Sequence, residues 1–234
     1  MKKLLYLVIC FIISCSTAAT IKSDAQSDAN YQMGLSYMKE GKYQEAFIEM
    51  QKAIKENPDN KLALNALGLI YLKFEDFEKA EMSFLDAIDV DDSFSDAYNN
   101  LGVVYSRKKK WDKAIEQFES ALKNPLYVSP AQAYYNIGNS YYRLRKYKKA
   151  IDNFRKALLR APQFTSAYYG LALSNNMIEL YGEAAAALME GIKVDPEIEG
   201  NRRKAADVFT ARIVMTMDEE ERKDLEDLRE ILNY

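Results

Sequence analysis

The chain of 234 residues predicts an all-α fold, a right-handed superhelix of antiparallel helix pairs, from three features of its spacing. A small residue follows an apolar one at Gly34, Gly68, Gly102, Gly138 and Ala172, in steps of 34, 34, 36 and 34 residues. Twelve residues after each comes Ala46, Ala80, Ala114, Ala150 and Ala184, and nineteen after each comes Ala53, Ala87, Ala121, Ala157 and Gly191. Pro58, Pro162 and Pro196 close three of the five units at a common offset. Stacked units of this kind pack on their neighbours and leave an extended surface, and they seldom carry chemistry of their own.

Residues 1–14 read as a leader. Lys2 and Lys3 are followed by an apolar run from Leu4 to Ile13. Ten helical residues rise about 15 Å, half of a bilayer core, so the run is too short to span. Ile12-Ile13-Ser14-Cys15 resembles a bacterial lipobox, which implies cleavage before Cys15 and diacylglycerol on its thiol; the alternative is an ordinary secretory leader ending near a cysteine. Cys10 and Cys15 are the only cysteines, so a chain cut before Cys15 has no internal disulfide. A covalent lipid anchors by burying methylenes, each contributing about 0.8 kcal/mol. Ser16 stands where Asp would signal inner-membrane retention, so by that sorting rule the outer membrane is expected. Residues 15–26 then form a lipidated tether, small and polar without helical periodicity, reaching at most about 40 Å.

Residues 27–198 hold five units, at roughly 27–60, 61–94, 95–128, 131–164 and 165–198. Within each, apolar residues recur at the i, i+3, i+4, i+7 spacing of two amphipathic helices, A and B. The register resembles the tetratricopeptide repeat. Gly or Ala at the eighth position and Ala at the twentieth let the helices of a pair approach closely, where a larger side chain would hold them apart. Large rings fill the seventeenth position at Tyr43, Phe77, Trp111, Tyr147 and Tyr181. Tyr37, Tyr71, Tyr105 and Tyr141 occupy the eleventh, with Asn175 the exception, and are read as packing. Gly41 alone keeps the glycine usual in the A–B turn.

The step of 36 reflects a slip at Asn124-Pro125-Leu126-Tyr127-Val128-Ser129-Pro130. Pro125 ends the preceding helix, because it lacks the N–H and disfavours helix in its predecessor. Two extra loop residues cost little closure entropy, so the slip alone is a tolerable insertion. Its residues Asn124, Pro125, Leu126, Tyr127 and Pro130, followed by Ala133, Asn136 and Gly138, resemble a marker loop of the type IV pilus lipoproteins of the PilW/PilF/Tgl pilotin family. The resemblance runs from Cys15 to about residue 215. It implies a lipobox, a short tether, about six repeats, and a role in bringing a secretin to the outer membrane and assembling its ring. Residues 199–234 form a degenerate sixth repeat and a capping helix. Residues 202–214 can make one helix, and a last one starts near Asp218, whose spacing to Glu221 is that of a capping box. Leu225, Leu228, Ile231 and Leu232 line one face of it, and the acidic run at Glu219 suits a helix N-terminus.

The candidate site is the concave face of the A helices. Position five supplies Tyr31, Asn65, Asn99, Tyr135 and Tyr169; position nine supplies Leu35, Leu69, Val103, Asn139 and Leu173; position twelve supplies Met38, Leu72, Ser106, Tyr142 and Asn176. Contiguous apolar and aromatic rows mark a partner groove when exposed, and asparagines can bond a guest backbone as donor and acceptor. The other reading is that the rows pack on neighbouring helices. Position thirteen holds Lys39, Lys73, Arg107 and Arg143, at helix ends where cations favour the dipole.

Composition narrows the function classes. The net charge is −3, and −5 without Lys2 and Lys3, with Lys and Arg scattered, so no field for nucleic acid is expected. Histidine is absent, which removes the commonest general base and metal ligand. No phosphate-cradling loop, nucleophile elbow or metal-ligand cluster occurs in the sequence. The expectation is a non-enzymatic protein with no metal, cofactor or small-molecule substrate, anchored by lipid to the periplasmic face of the outer membrane. Its expected partner is a protein, by the pilotin resemblance the secretin. The alternative is a general lipid-anchored scaffold recruiting peptidoglycan enzymes or proteases.

Overall fold

A computed structural model of the chain describes residues 23–233, and every regular element in that range is an α-helix. The leader, Cys15 and the first part of the tether lie outside it. α1 covers 23–39, followed by α2 (Tyr43–Glu56), α3 (Lys61–Lys73), α4 (Phe77–Val90), α5 (Ser95–Arg107), α6 (Trp111–Ala121), α7 (Pro130–Arg143), α8 (Tyr147–Arg160), α9 (Thr165–Asn176), α10 (Tyr181–Val194), α11 (Arg202–Met215) and α12 (Glu219–Ile231). The chain divides into two compact units, one ending at Val104 and one beginning at Tyr105, within α5.

In the first unit, Ala46, Met50, Ala53, Ala63, Ala66 and Ile70 form the core of the leading helix pairs. α1 is formed by residue 23, so 23–26, expected in the tether, are helical. Polar ties hold it there. The Ser27 hydroxyl donates to the Ala53 carbonyl at 2.8 Å and accepts from Asn60 Nδ2 at 2.9 Å, and Asn57 donates to Asp24 at 3.0 Å. Such ties leave no apolar periodicity to read.

The seventeenth-position rings Tyr43, Phe77, Trp111, Tyr147 and Tyr181 each begin a B helix. Each of the five A–B turns contains one residue with positive φ, at Gly41, Glu75, Lys109, Arg145 and Glu179. The turns share one hydrogen-bond pattern. Lys42 N–H donates to the Tyr37 carbonyl, and Asp76, Lys110, Lys146 and Leu180 do the same to Tyr71, Tyr105, Tyr141 and Asn175. This is the closure of a helix ending in a left-handed residue, where glycine is normally preferred. Four of the five turns impose it on a residue with a Cβ, at a cost of about 1–2 kcal/mol each. The tyrosine rings do more than fill space: Lys79, Lys113 and Lys149 lie 5.4, 5.6 and 5.3 Å from the centroids of Tyr71, Tyr105 and Tyr141. In the fifth pair the lysine position is Glu183, and there the ring is replaced by Asn175.

In the second unit one cluster runs from Ala150, Phe154 and Ala157 through Leu171, Leu188 and Ile192 to Phe209 and Leu225. α6 stops at Ala121, earlier than Pro125 requires, and its cap N–H bonds reach Phe118 and Ser120. Asn124 then shapes the slip: its side-chain oxygen accepts from Leu126 N–H at 2.9 Å, and its carbonyl accepts from Tyr127 N–H at 3.1 Å. Leu126 and Val128 are left 83% and 86% exposed, while Pro130 takes the first helical position of α7, where a missing N–H costs nothing.

Candidate functional site

The candidate rows lie along the A helices and differ between the two units. In the first unit Tyr31, Leu35 and Met38 are half-buried and pack against the core while keeping part of their surface in solvent. Asn65, Leu69, Leu72, Asn99 and Val103 are also half-buried. Asn65 Oδ1 accepts from Asn100 Nδ2 at 2.9 Å, which fixes its amide and leaves its NH2 as donor. Lys73, at the end of α3, lies 5.7 Å from the Tyr43 ring centroid.

In the second unit the inner face is already engaged by the chain's own C-terminal helices. Tyr135 sits between Phe154 and Phe164, with centroids 5.9 and 4.9 Å away, so it is a packing residue more than a groove residue. Leu173 is buried in the same cluster as Leu225 and Leu228, which corrects its placement on an open surface. Tyr169 donates to Asp195 at 2.7 Å and meets Phe209 of α11 edge-on at 5.6 Å. Asn139 is half-buried.

Tyr142 and Arg143 both turn to α12. The Tyr142 hydroxyl donates to Asp224 at 3.1 Å, and Arg143 makes a two-pronged contact with the same carboxylate at 3.3 and 2.5 Å. Both members of the ion pair are four-fifths buried. Nearer the start of α12, Glu220 receives Lys109 at 2.9 Å. Burial pushes the Asp224 carboxyl above the ordinary carboxylate range despite the Arg143 charge, and burial with the adjacent Asp224 charge holds the Tyr142 phenol protonated. Burial and the bond to Asp195 do the same for Tyr169.

α12 carries the buried face expected of it, since Leu225, Leu228, Ile231 and Leu232 are all buried. Asp218 caps it by accepting from Glu221 N–H at 3.0 Å. The reciprocal half of the capping box is missing, because Glu221 accepts from the Thr216 hydroxyl instead, at 2.7 Å. The helix packs against α9, α10 and α11. α12 folds back over α9 and reaches α7 with Asp224. The sequence held a signal for this: Asp224 lies one turn before Leu228 on the apolar face, where a carboxylate needs a buried cation.

Among the described residues no group of three or more His, Cys, Asp or Glu side chains is placed to hold a metal ion, and no helix is long and apolar enough to cross a membrane.

The chain is a tetratricopeptide-repeat protein. One tetratricopeptide-repeat family model matches residues 95–124 and 131–164, and a second matches 31–95. Among solved structures it is similar to PilF of Pseudomonas aeruginosa, at 21% identity and a TM-score of 0.69, covering 88% of this chain and 98% of that one. It is similar to PilW, described as a widely conserved type IV pilus biogenesis factor, at 24% identity and a TM-score of 0.66, covering 86% of this chain and 98% of that one. A third similar structure is MamA, at 23% identity, a TM-score of 0.63, and coverage of 75% and 95%. At these identities the similarity establishes the fold. No curated protein sequence matches the chain.

Proposed function

We propose that this protein is an outer-membrane lipoprotein of the type IV pilus system, held by lipid on Cys15 at the periplasmic face, that binds a secretin subunit and promotes its assembly. The observation that carries the reading is Ile12-Ile13-Ser14-Cys15, set at the end of a short apolar leader and ahead of tetratricopeptide repeats. The Asn124–Pro130 loop and the similarity to PilF and PilW along nearly their whole length support it. The half-buried rows of the first unit suit a non-catalytic adaptor, with Tyr31, Leu35, Leu69 and Leu72 as contacts.

The test is deletion in the native cell, followed by gel analysis of heat-stable secretin multimers in membranes. Loss of the multimers is expected; unchanged multimers with normal twitching motility would reject the pilus assignment and leave the general scaffold. Cys15→Ala should leave the repeats folded and move the protein out of the membrane fraction. Retention in membranes would reject the lipid anchor.

A further inference from the structure

The second unit shows what its inner face accepts, because a helix already lies there. We propose that this face is a receptor for an acidic amphipathic helix of a partner protein, and that α12 is a resident guest which the partner displaces. The inference rests on reading the chain as a binding scaffold, and not on the pilus assignment.

Three observations support it. The first is the chemistry of the seat. Arg143 and the Tyr142 hydroxyl converge on one carboxylate, Lys109 takes a second one helical turn earlier, and two leucines follow onto α9. The guest pattern is therefore Glu220, Asp224, Leu225 and Leu228: carboxylates at i and i+4, leucines at i+5 and i+8. A largely buried ion pair of this kind selects for an acid without adding much affinity, since desolvation offsets the attraction. The leucines supply the rest, together with Ile231 and Leu232 further along the same face.

The second observation is that the start of α12 leaves a space beside it that is open to solvent. A cleft of about 250 Å³ remains beside it, lined by Tyr142, Arg143, Tyr147, Met177, Glu220 and Asp224 among others. A guest with a larger side chain at the position of Glu220 or Lys223 would gain contacts there. The third is the connection. α12 is joined through Thr216, Met217 and Asp218, with Met217 93% exposed and the preceding Val214 and Met215 also exposed, so the link itself adds little burial holding the helix down. The outer face of α12 is charged and in solvent.

The test uses the full chain and a fluorescein-labelled peptide with the sequence of residues 217–234, read by anisotropy. In the wild type the resident helix competes, so apparent affinity is lowered by the fraction of open receptor. Leu225→Asp/Leu228→Asp, which undocks α12, should bind the peptide at least about tenfold more tightly than wild type. Adding Arg143→Glu to that variant should abolish binding, and a peptide carrying Asp224→Arg should restore it. Equal binding by wild type and the undocked variant, or binding indifferent to Arg143, would overturn the proposal. So would a stable dimer formed by exchange of α12, which would make the guest a second copy. Should the double variant not fold, hydrogen exchange on the wild type decides. α12 amides exchanging well before those of α7 to α10 support a displaceable guest, and exchange together with them overturns it.

Discussion

Gly68→Ala places a methyl group against a ring with no room to retreat. A Cβ at residue 68 would lie 2.5 Å from Phe84 Cε1 and 2.8 Å from Cδ1 and Cζ, and Phe84 is fully buried. Overpacking a tight core costs about 1–3 kcal/mol. The better helix propensity of alanine returns about 1 kcal/mol. The net expectation is a loss of up to about 2 kcal/mol, read as a lower urea midpoint at unchanged slope by circular dichroism. The protein contains its own control. The fifth repeat carries Ala172 and Leu188 at the same two offsets, both buried in one cluster. Phe84→Leu in the Gly68→Ala background should therefore recover stability, with the double variant better than the sum of the single losses by about 1 kcal/mol. A midpoint for Gly68→Ala equal to or above wild type, or strict additivity of the two changes, would refute the ring-against-glycine account.

Four further expectations follow from other sites. Arg145→Gly removes a side chain from a left-handed position at φ 57° and should stabilise by about 0.5–1 kcal/mol, the αL penalty less the added freedom of the unfolded chain, measured by urea unfolding. Leu69→Glu, on the half-buried face of the first unit, should weaken partner capture while moving the unfolding midpoint little. Tyr135→Ala, which leaves Phe154 and Phe164 without their shared ring, should cost about 3 kcal/mol or more. The hydrogen bonds from Lys61 and Ser93 hold the Asp91 carboxyl down to about 2, so the stability it contributes is complete above pH 3.8 and lost as pH falls towards 2. In Lys61→Met the carboxyl titration followed by NMR should move upward, and an unmoved midpoint would mean the ion pair is absent in solution.

The sequence is most readable where packing leaves one choice. The buried alanines at 46, 80, 114, 150 and 184 mark the places where backbones approach, and no larger residue fits, so the register is written in composition. The left-handed turns are harder to see, since Glu75, Lys109, Arg145 and Glu179 hide a conformation that only Gly41 advertises. The start of α1 is hidden for another reason: Asp24 and Ser27 are held by hydrogen bonds, which have no period. The site was half legible. Positions five, nine and twelve locate the A-helix face, but amphipathicity tells that α12 has a buried side without telling what it is buried against. Arg143 and Asp224 are 81 residues apart, and only the fold brings them together.

The lysines stacked on tyrosines in the second, third and fourth pairs bear on how such a chain could be re-engineered. Each lysine stands in the first turn of its B helix and each ring in the last turns of the A helix before it, so both partners belong to one hairpin. These contacts across a hairpin are thus made by residues that the candidate binding rows do not include. Side chains at positions five, nine and twelve could be exchanged for those of another repeat protein while this clasp keeps the graft in its native frame, provided that ring and cation are transplanted or retained as a pair.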